Sequence, residues 1–171
     1  MTIDDICSHR IVTVDSAASL VEVATLMREH HVGALVVITA GAEGPRVSGV
    51  VTDRDLVLDA LARGLDGAGV AVGELALRPL LSVPASADVD TALALMNEGG
   101  VRRLLVTDDD QQLCGIVSLD DLIEACAAQW EGLAKVLRAG MGREVADRPP
   151  LPLPPLQVPS MGTAVWGRAI A

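Results

Sequence analysis

The chain has 171 residues, half of them hydrophobic, with no Phe, no Tyr and a net charge of −10. An acidic surface without stacking rings is the wrong chemistry for nucleic acid, and its charge opposes docking on anionic membranes. No apolar run reaches spanning length and the start, Met1-Thr2-Ile3-Asp4-Asp5, lacks a signal-peptide pattern, so a soluble cytoplasmic protein is expected.

In chain order, Ile3-Asp4-Asp5-Ile6 is a short lead-in and Val12-Thr13-Val14 a short strand. Ser19 with Glu22 makes a capping box. Leu20, Val23, Ala24 and Met27 follow at i, i+3, i+4, i+7, one face of an amphipathic helix. Ala34-Leu35-Val36-Val37-Ile38 is apolar throughout, which suits a strand covered on both faces. A turn at 40–45 precedes a strand ending in Gly49-Val50-Val51-Thr52, and Leu56, Val57, Ala60 and Leu61 belong to a second helix. Gly67-Ala68-Gly69 is only a fragment of a phosphate loop: the third glycine would fall at Val72, so the stretch reads as linker.

The same order then returns. A shift of 69 lays Val12-Thr13-Val14 on Leu81-Ser82-Val83, and Leu20, Val23, Ala24 and Met27 on Val89, Ala92, Leu93 and Met96. After the turn, which is shorter in the second copy, the shift is 66 and Gly49-Val50-Val51-Thr52 meets Gly115-Ile116-Val117-Ser118. Asp88 replaces Ser19 as the cap. The fold class expected is mixed α+β: two βαββα repeats packed around a pseudo-two-fold axis. The boundaries are 2–63 for the first repeat, 64–78 for the linker, 79–128 for the second repeat, and 129–171 for a C-terminal helix and tail. Asp120 to about Glu144 can continue as a long helix, with Gly132, Gly140 and Gly142 as weak points. Pro149-Pro150-Leu151-Pro152-Leu153-Pro154-Pro155 is a polyproline-type segment.

Two motifs sit where a strand ends and a helix begins: Gly49 to Asp55 and Gly115 to Asp121, each Gly, two aliphatics, Thr or Ser, two variable residues, Asp. One reading is structural, with Thr52 and Ser118 as N-caps and Asp55 and Asp121 completing capping boxes. The other is a ligand site, because free N–H groups at a helix start favour anions and a carboxylate accepts from the vicinal hydroxyls of a ribose. A phosphate would need a cation, and Arg54, Arg102 and Arg103 are at hand. Both readings stay open from residue types alone.

The duplicated pattern resembles the cystathionine-β-synthase (CBS) domain pair, or Bateman module, over about residues 2–128. That resemblance implies two clefts for an adenosyl ligand: AMP, ADP, ATP or S-adenosylmethionine. It places ribose on Asp55 and Asp121, with Thr52 and Ser118 beside ribose or phosphate. It places adenine among Ile11, Val12 and Thr13 in one cleft and Leu80, Leu81 and Ser82 in the other, with Gly33, Ala34, Arg102 and Arg103 as walls. A regulatory, non-catalytic module follows, needing no cofactor, pairing as a homodimer and acting on a separate effector protein.

Asp120 beside Asp121, against Arg54 in the first motif, predicts that the Thr52–Asp55 cleft prefers the more phosphorylated ligand. The alternative function is a dimerising scaffold without ligand. No two of Cys7, Cys114 and Cys126 sit at metal-ligand spacing, so they read as reduced thiols with no metal site. No catalytic set assembles, and His9, His30 and His31 have no assigned role.

Overall fold

The structure is a computed structural model, and it describes residues 1–42, 44–75 and 80–149. The polyproline segment beyond Pro149 lies outside the described residues. Residues 1–129 form one compact unit, and the described residues 130–149 belong to a second.

In the first unit the expected mixed α+β architecture is present twice. β1 (Thr13–Asp15) leads to α1 (Leu20–His30), then to the hairpin of β2 (Ala34–Thr39) and β3 (Arg46–Thr52). β4 (Ser82–Pro84), α3 (Val89–Gly99), β5 (Arg103–Thr107) and β6 (Leu113–Ser118) repeat that order. Each sheet has three strands, the first pairing parallel with the second and the second antiparallel with the third. The register irregularity recurs too, at Val37/Ile38 and at Val106/Thr107. The caps read from sequence are made: Ser19 and Glu22 form the reciprocal box on α1, and the Asp88 side chain accepts from the Thr91 N–H on α3.

The copies diverge after the hairpin. In copy one the chain is α-helical only over Asp53–Asp55 (α2), then π-helical over Leu56–Ala60 and 3-10 over Leu61–Arg63, ending at Gly64 with φ +68. In copy two α4 runs unbroken over Leu119–Asp147, straight through Gly132, Gly140 and Gly142. Each of those glycines costs a helix about 1 kcal/mol relative to alanine, which the helix absorbs without a break.

The lead-ins are exchanged between copies. Ile3 and Cys7 are buried with Val83, Met96, Leu104 and Val117 of copy two. Val72 and Leu75 are buried with Val14, Met27, Leu35 and Val51 of copy one. The hydrogen bonds match pairwise. Ile3 N donates to Ala87 O as Val72 N donates to Ala18 O, and Asp4 N donates to Ala85 O as Gly73 N donates to Ser16 O. The bridges Thr2–Asp88 and Ser19–Ala71 are the same bridge under the 69-residue shift. Each copy therefore completes the other's core, and this reciprocity is the pseudo-two-fold relation in atomic terms. It also explains Gly115. A Cβ there would sit 2.7 Å from Cys7 Sγ and 3.3 Å from Val106 Cβ, so a side chain has no room under the exchanged lead-in.

One helix end is strained. His31 closes α1 at φ 54, where the equivalent Gly100 closes α3 at φ 60. The left-handed conformation costs an L-residue about 1–2 kcal/mol, and glycine's larger unfolded-state entropy offsets part of that. His31→Gly is expected to raise stability by about 0.5–1 kcal/mol, read as a higher urea midpoint. A lower midpoint would mean that the exposed imidazole makes a stabilising contact.

Candidate functional site

Exchange brings the motif of each copy against the strand entry of the other. A cavity of about 400 Å³ joins Thr52, Arg54 and Asp55 to Leu80, Leu81, Arg102 and Arg103. A second, of about 250 Å³, joins Ser118 and Asp121 to Ile11, Val12, Gly33 and Ala34. Arg103 and Ile116 line both.

The backbone that frames the two clefts is equivalent. Val36 N donates to Val12 O and Leu105 N to Leu81 O, which fixes the segment entering β1 and β4 against the middle strand. Asp53 N donates to Gly33 O and Leu119 N to Arg102 O, which ties each motif to the start of its own middle strand. On that middle strand side chains alternate. Leu35 and Val37 enter the copy-one core, while Val36 faces the second cavity. Leu104 and Val106 enter the copy-two core, while Leu105 faces the first cavity.

The capping boxes are real. Asp55 Oδ2 accepts from the Thr52 N–H at 2.9 Å and from its hydroxyl at 2.7 Å, while Thr52 Oγ1 accepts from the Asp55 N–H at 3.2 Å. Asp121 Oδ2 accepts from the Ser118 N–H at 2.7 Å and hydroxyl at 2.6 Å, with the return bond from the Asp121 N–H at 3.2 Å. In both motifs the cap occupies one carboxylate oxygen. Asp55 is buried and Asp121 half-buried, and each lines its cavity. Asp55 and Asp121 thus each serve a helix cap and line a cavity.

Thirteen of the fifteen predicted site residues line one cavity or the other. Thr13 and Ser82 line neither. As the first residues of β1 and β4 they pair with Val36 and Leu105 and stand exposed, one position past the segment that faces the cleft. Asp120 is also exposed and lines neither cavity. Arg10, Ser8 and Val101 line the clefts without having been singled out. Their only sequence signal is adjacency, since Arg10 precedes Ile11 and Val101 precedes Arg102.

A sequence profile of the CBS domain matches residues 3–60 and again 72–128. The chain belongs to the CBS-domain family. This CBS pair is 36% identical over 121 residues to hypoxic response protein 1 of Mycobacterium tuberculosis, covering 71% of this chain and 82% of that protein. A crystal structure of Hypoxic Response Protein I with two coordinated zinc ions superposes with TM-score 0.61 at 35% identity, over 72% of this chain and 98% of that one. An uncharacterized protein of Methanopyrus kandleri is 29% identical over 124 residues, 72% of this chain; the chain spans only 62% of that protein's length. At 22% identity and TM-score 0.64, over 75% of this chain and 98% of that one, the fold is shared with a CBS domain pair in complex with 5′-methylthioadenosine and S-adenosyl-L-methionine. CBS pairs are in general regulatory ligand-binding modules rather than catalysts.

Within this CBS pair the two clefts differ in charge, and the difference comes from Arg54 and Arg102 against Arg10, since Arg103 lines both. Copy two supplies Arg102 and Arg103 where copy one supplies Gly33 and Ala34, the positions being equivalent under the 69-residue shift. The first cavity thus holds Arg54, Arg102 and Arg103 against Asp55, a formal 3 − 1 = +2. The second holds Arg10 and Arg103 against Asp121, a formal 2 − 1 = +1. Among the described residues no helix is long and apolar enough to cross a membrane.

Proposed function

We propose that this CBS pair is a sensor of adenine nucleotides in the cytoplasm, binding them in the two clefts and passing occupancy to a separate effector protein. The observation that carries the reading is the first cavity. It sets a buried carboxylate and a hydroxyl, the pair a ribose diol requires, beside an aliphatic wall of Leu80 and Leu81 and three guanidinium groups suited to phosphate. Because each cleft takes walls from both copies, a bound ligand favours one relative placement of the copies over others. A homodimer belongs to the same reading. Val57 and Ile123, equivalent under the 66-residue shift, are 52% and 58% exposed on the second helices, where a second copy would cover them.

A thermal-shift panel of AMP, ADP, ATP and S-adenosylmethionine tests this, with light scattering on the same sample to read the chain count. A ligand at about 100 times its dissociation constant adds about 2.7 kcal/mol, which raises the melting point by several degrees. A flat response to every adenine ligand at saturation would leave the capping boxes as the whole explanation of the motifs, and the module as a scaffold. Scattering at one chain mass would remove the homodimer.

A further inference from the structure

The exchanged lead-in carries three metal-ligating side chains outside the adenosyl clefts: Asp4, Cys7 and His9. A tight turn, with Cys7 N donating to Ile3 O at 2.8 Å, folds them to one side. One ligand atom from each lies within 4.8 Å of the other two. His9 Nε2 is 3.7 Å from Asp4 Oδ1 and 3.9 Å from Cys7 Sγ. A tetrahedral zinc ion, with bonds of about 2.0–2.3 Å, holds its ligands roughly 3.4–3.6 Å apart. The imidazole stands a few tenths of an ångström beyond that spacing from each partner, and the carboxylate and thiol lie within 4.8 Å of each other, so side-chain rotation would close the set on an ion.

The other imidazole nitrogen supplies a second, independent observation. His9 Nδ1 is 3.0 Å from the backbone carbonyl oxygen of Cys114. A proton on Nδ1 donating to that carbonyl leaves the Nε2 lone pair for a ligand, with Asp4 Oδ1 3.7 Å from Nε2. Cys7 Sγ lies beside the ring, 3.9 Å from Nε2 and 4.0 Å from Nδ1, so the thiol would turn to share an ion with Nε2. A backbone carbonyl holding the remote N–H is the usual support of a metal-bound histidine. The backbone around the cluster is pinned on both sides. Asp4 N donates to Ala85 O at 2.9 Å, and Ser8 exchanges two bonds with Ile116 at 2.9 and 3.0 Å. Cys7 is buried while Asp4 and His9 are exposed, so an ion can reach the ligands from solvent and keep a water in the fourth position. A thiolate and an imidazole select against magnesium and calcium, which take oxygen ligands.

We propose that Asp4, Cys7 and His9 form a binding site for a divalent transition-metal ion, zinc being the ion whose coordination chemistry matches a mixed sulfur, nitrogen and oxygen set. All three ligands belong to the lead-in of copy one, which His9 Nδ1 and the Ser8 backbone hold against Cys114 and Ile116 of copy two. Ser8 and Arg10, which flank His9 in the chain, line the second cleft, so an ion there would also stiffen one wall of that cleft.

The test uses the full, untagged chain, stripped with chelator and titrated with Zn²⁺ against a chromophoric competitor. Co²⁺ serves as the spectroscopic probe. The expected result is one equivalent bound per chain and a thiolate-to-cobalt charge-transfer band. Cys7→Ser abolishes the band. His9→Ala and Asp4→Asn weaken zinc binding roughly tenfold or more, and Cys126→Ser leaves it unchanged. Because the His9 side chain is 57% exposed, His9→Ala reads the site without disturbing the core. Zinc uptake that is equal in parent, His9→Ala and Asp4→Asn would overturn the proposal, as would a cobalt spectrum without the thiolate band. Either result would reduce the cluster to an exposed Asp4–His9 ion pair beside a buried thiol.

Discussion

Ile3→Ala is expected to cost about 2–5 kcal/mol, a loss set by the exchanged lead-in rather than by the position of the residue near the chain start. Ile3 is 0% exposed and sits among Val83, Ala92, Met96, Leu104, Val106, Val117 and Leu122, all of copy two. Truncation removes three carbons from a packed interior and leaves a cavity that backbone bonds to Ala85 and Ala87 prevent from closing. Domains of this size are stable by only about 5–15 kcal/mol, so the variant loses a large share of the total. The counterpart Val72→Ala loses one carbon fewer and is expected to fall in the same direction by less. Urea unfolding with unchanged slope and a lowered midpoint is the measurement. A change within about 0.5 kcal/mol of the parent, the range of an ordinary surface substitution, would show that the lead-in does not complete the second core.

That exchange was not legible in the sequence, and the reason is physical. Ile3 and Val72 are equivalent under the shift, so a lead-in packing on its own copy and one packing on the other satisfy the same apolar pattern. Periodicity says which side chains are buried and is silent about which of two like sheets buries them. The repeat itself was readable because strands, caps and turns are local: Ser19, Glu22 and Asp88 announce helix starts without any tertiary information. The pitch of the second helices was not readable. Leu56, Val57, Ala60 and Leu61 match Leu122, Ile123, Cys126 and Ala127 in pattern, yet one segment is π-helical and then 3-10 while the other is regular.

The site was readable where chemistry is carried by residue type and missed where it is carried by adjacency in space. Thr52, Asp55, Ser118 and Asp121 stand out in the chain and line the cavities. Arg10 enters the second cavity only through the exchanged lead-in. The cluster of Asp4, Cys7 and His9 escapes a search for paired cysteines because its one thiol is matched by a carboxylate and an imidazole. Burial pushes the Cys7 thiol above its ordinary value, and the Asp4 carboxylate adds to the shift.

Asp55→Ala is expected to weaken ATP binding by roughly tenfold to a hundredfold, and Asp121→Ala to leave it within a few-fold of the parent. The difference rests on the proposed nucleotide function and on the walls of the clefts. A triphosphate needs cations near its ribose, and the first cavity offers three guanidinium groups and about 400 Å³ against two and about 250 Å³ in the second. In a partly buried cleft an added positive charge is worth more than on the open surface, so one arginine shifts the preference between a monophosphate and a triphosphate. The structural cost of the two substitutions is expected to be alike. Each removes the same reciprocal cap, worth about 0.5–2 kcal/mol, so their urea midpoints should fall together while their ATP affinities separate. Calorimetric titration with AMP and ATP on both variants reads the split. Equal loss of ATP in the two would sink the asymmetry. Loss that tracks the fall in stability, and not the cleft altered, would return Thr52, Asp55, Ser118 and Asp121 to the single role of capping their helices.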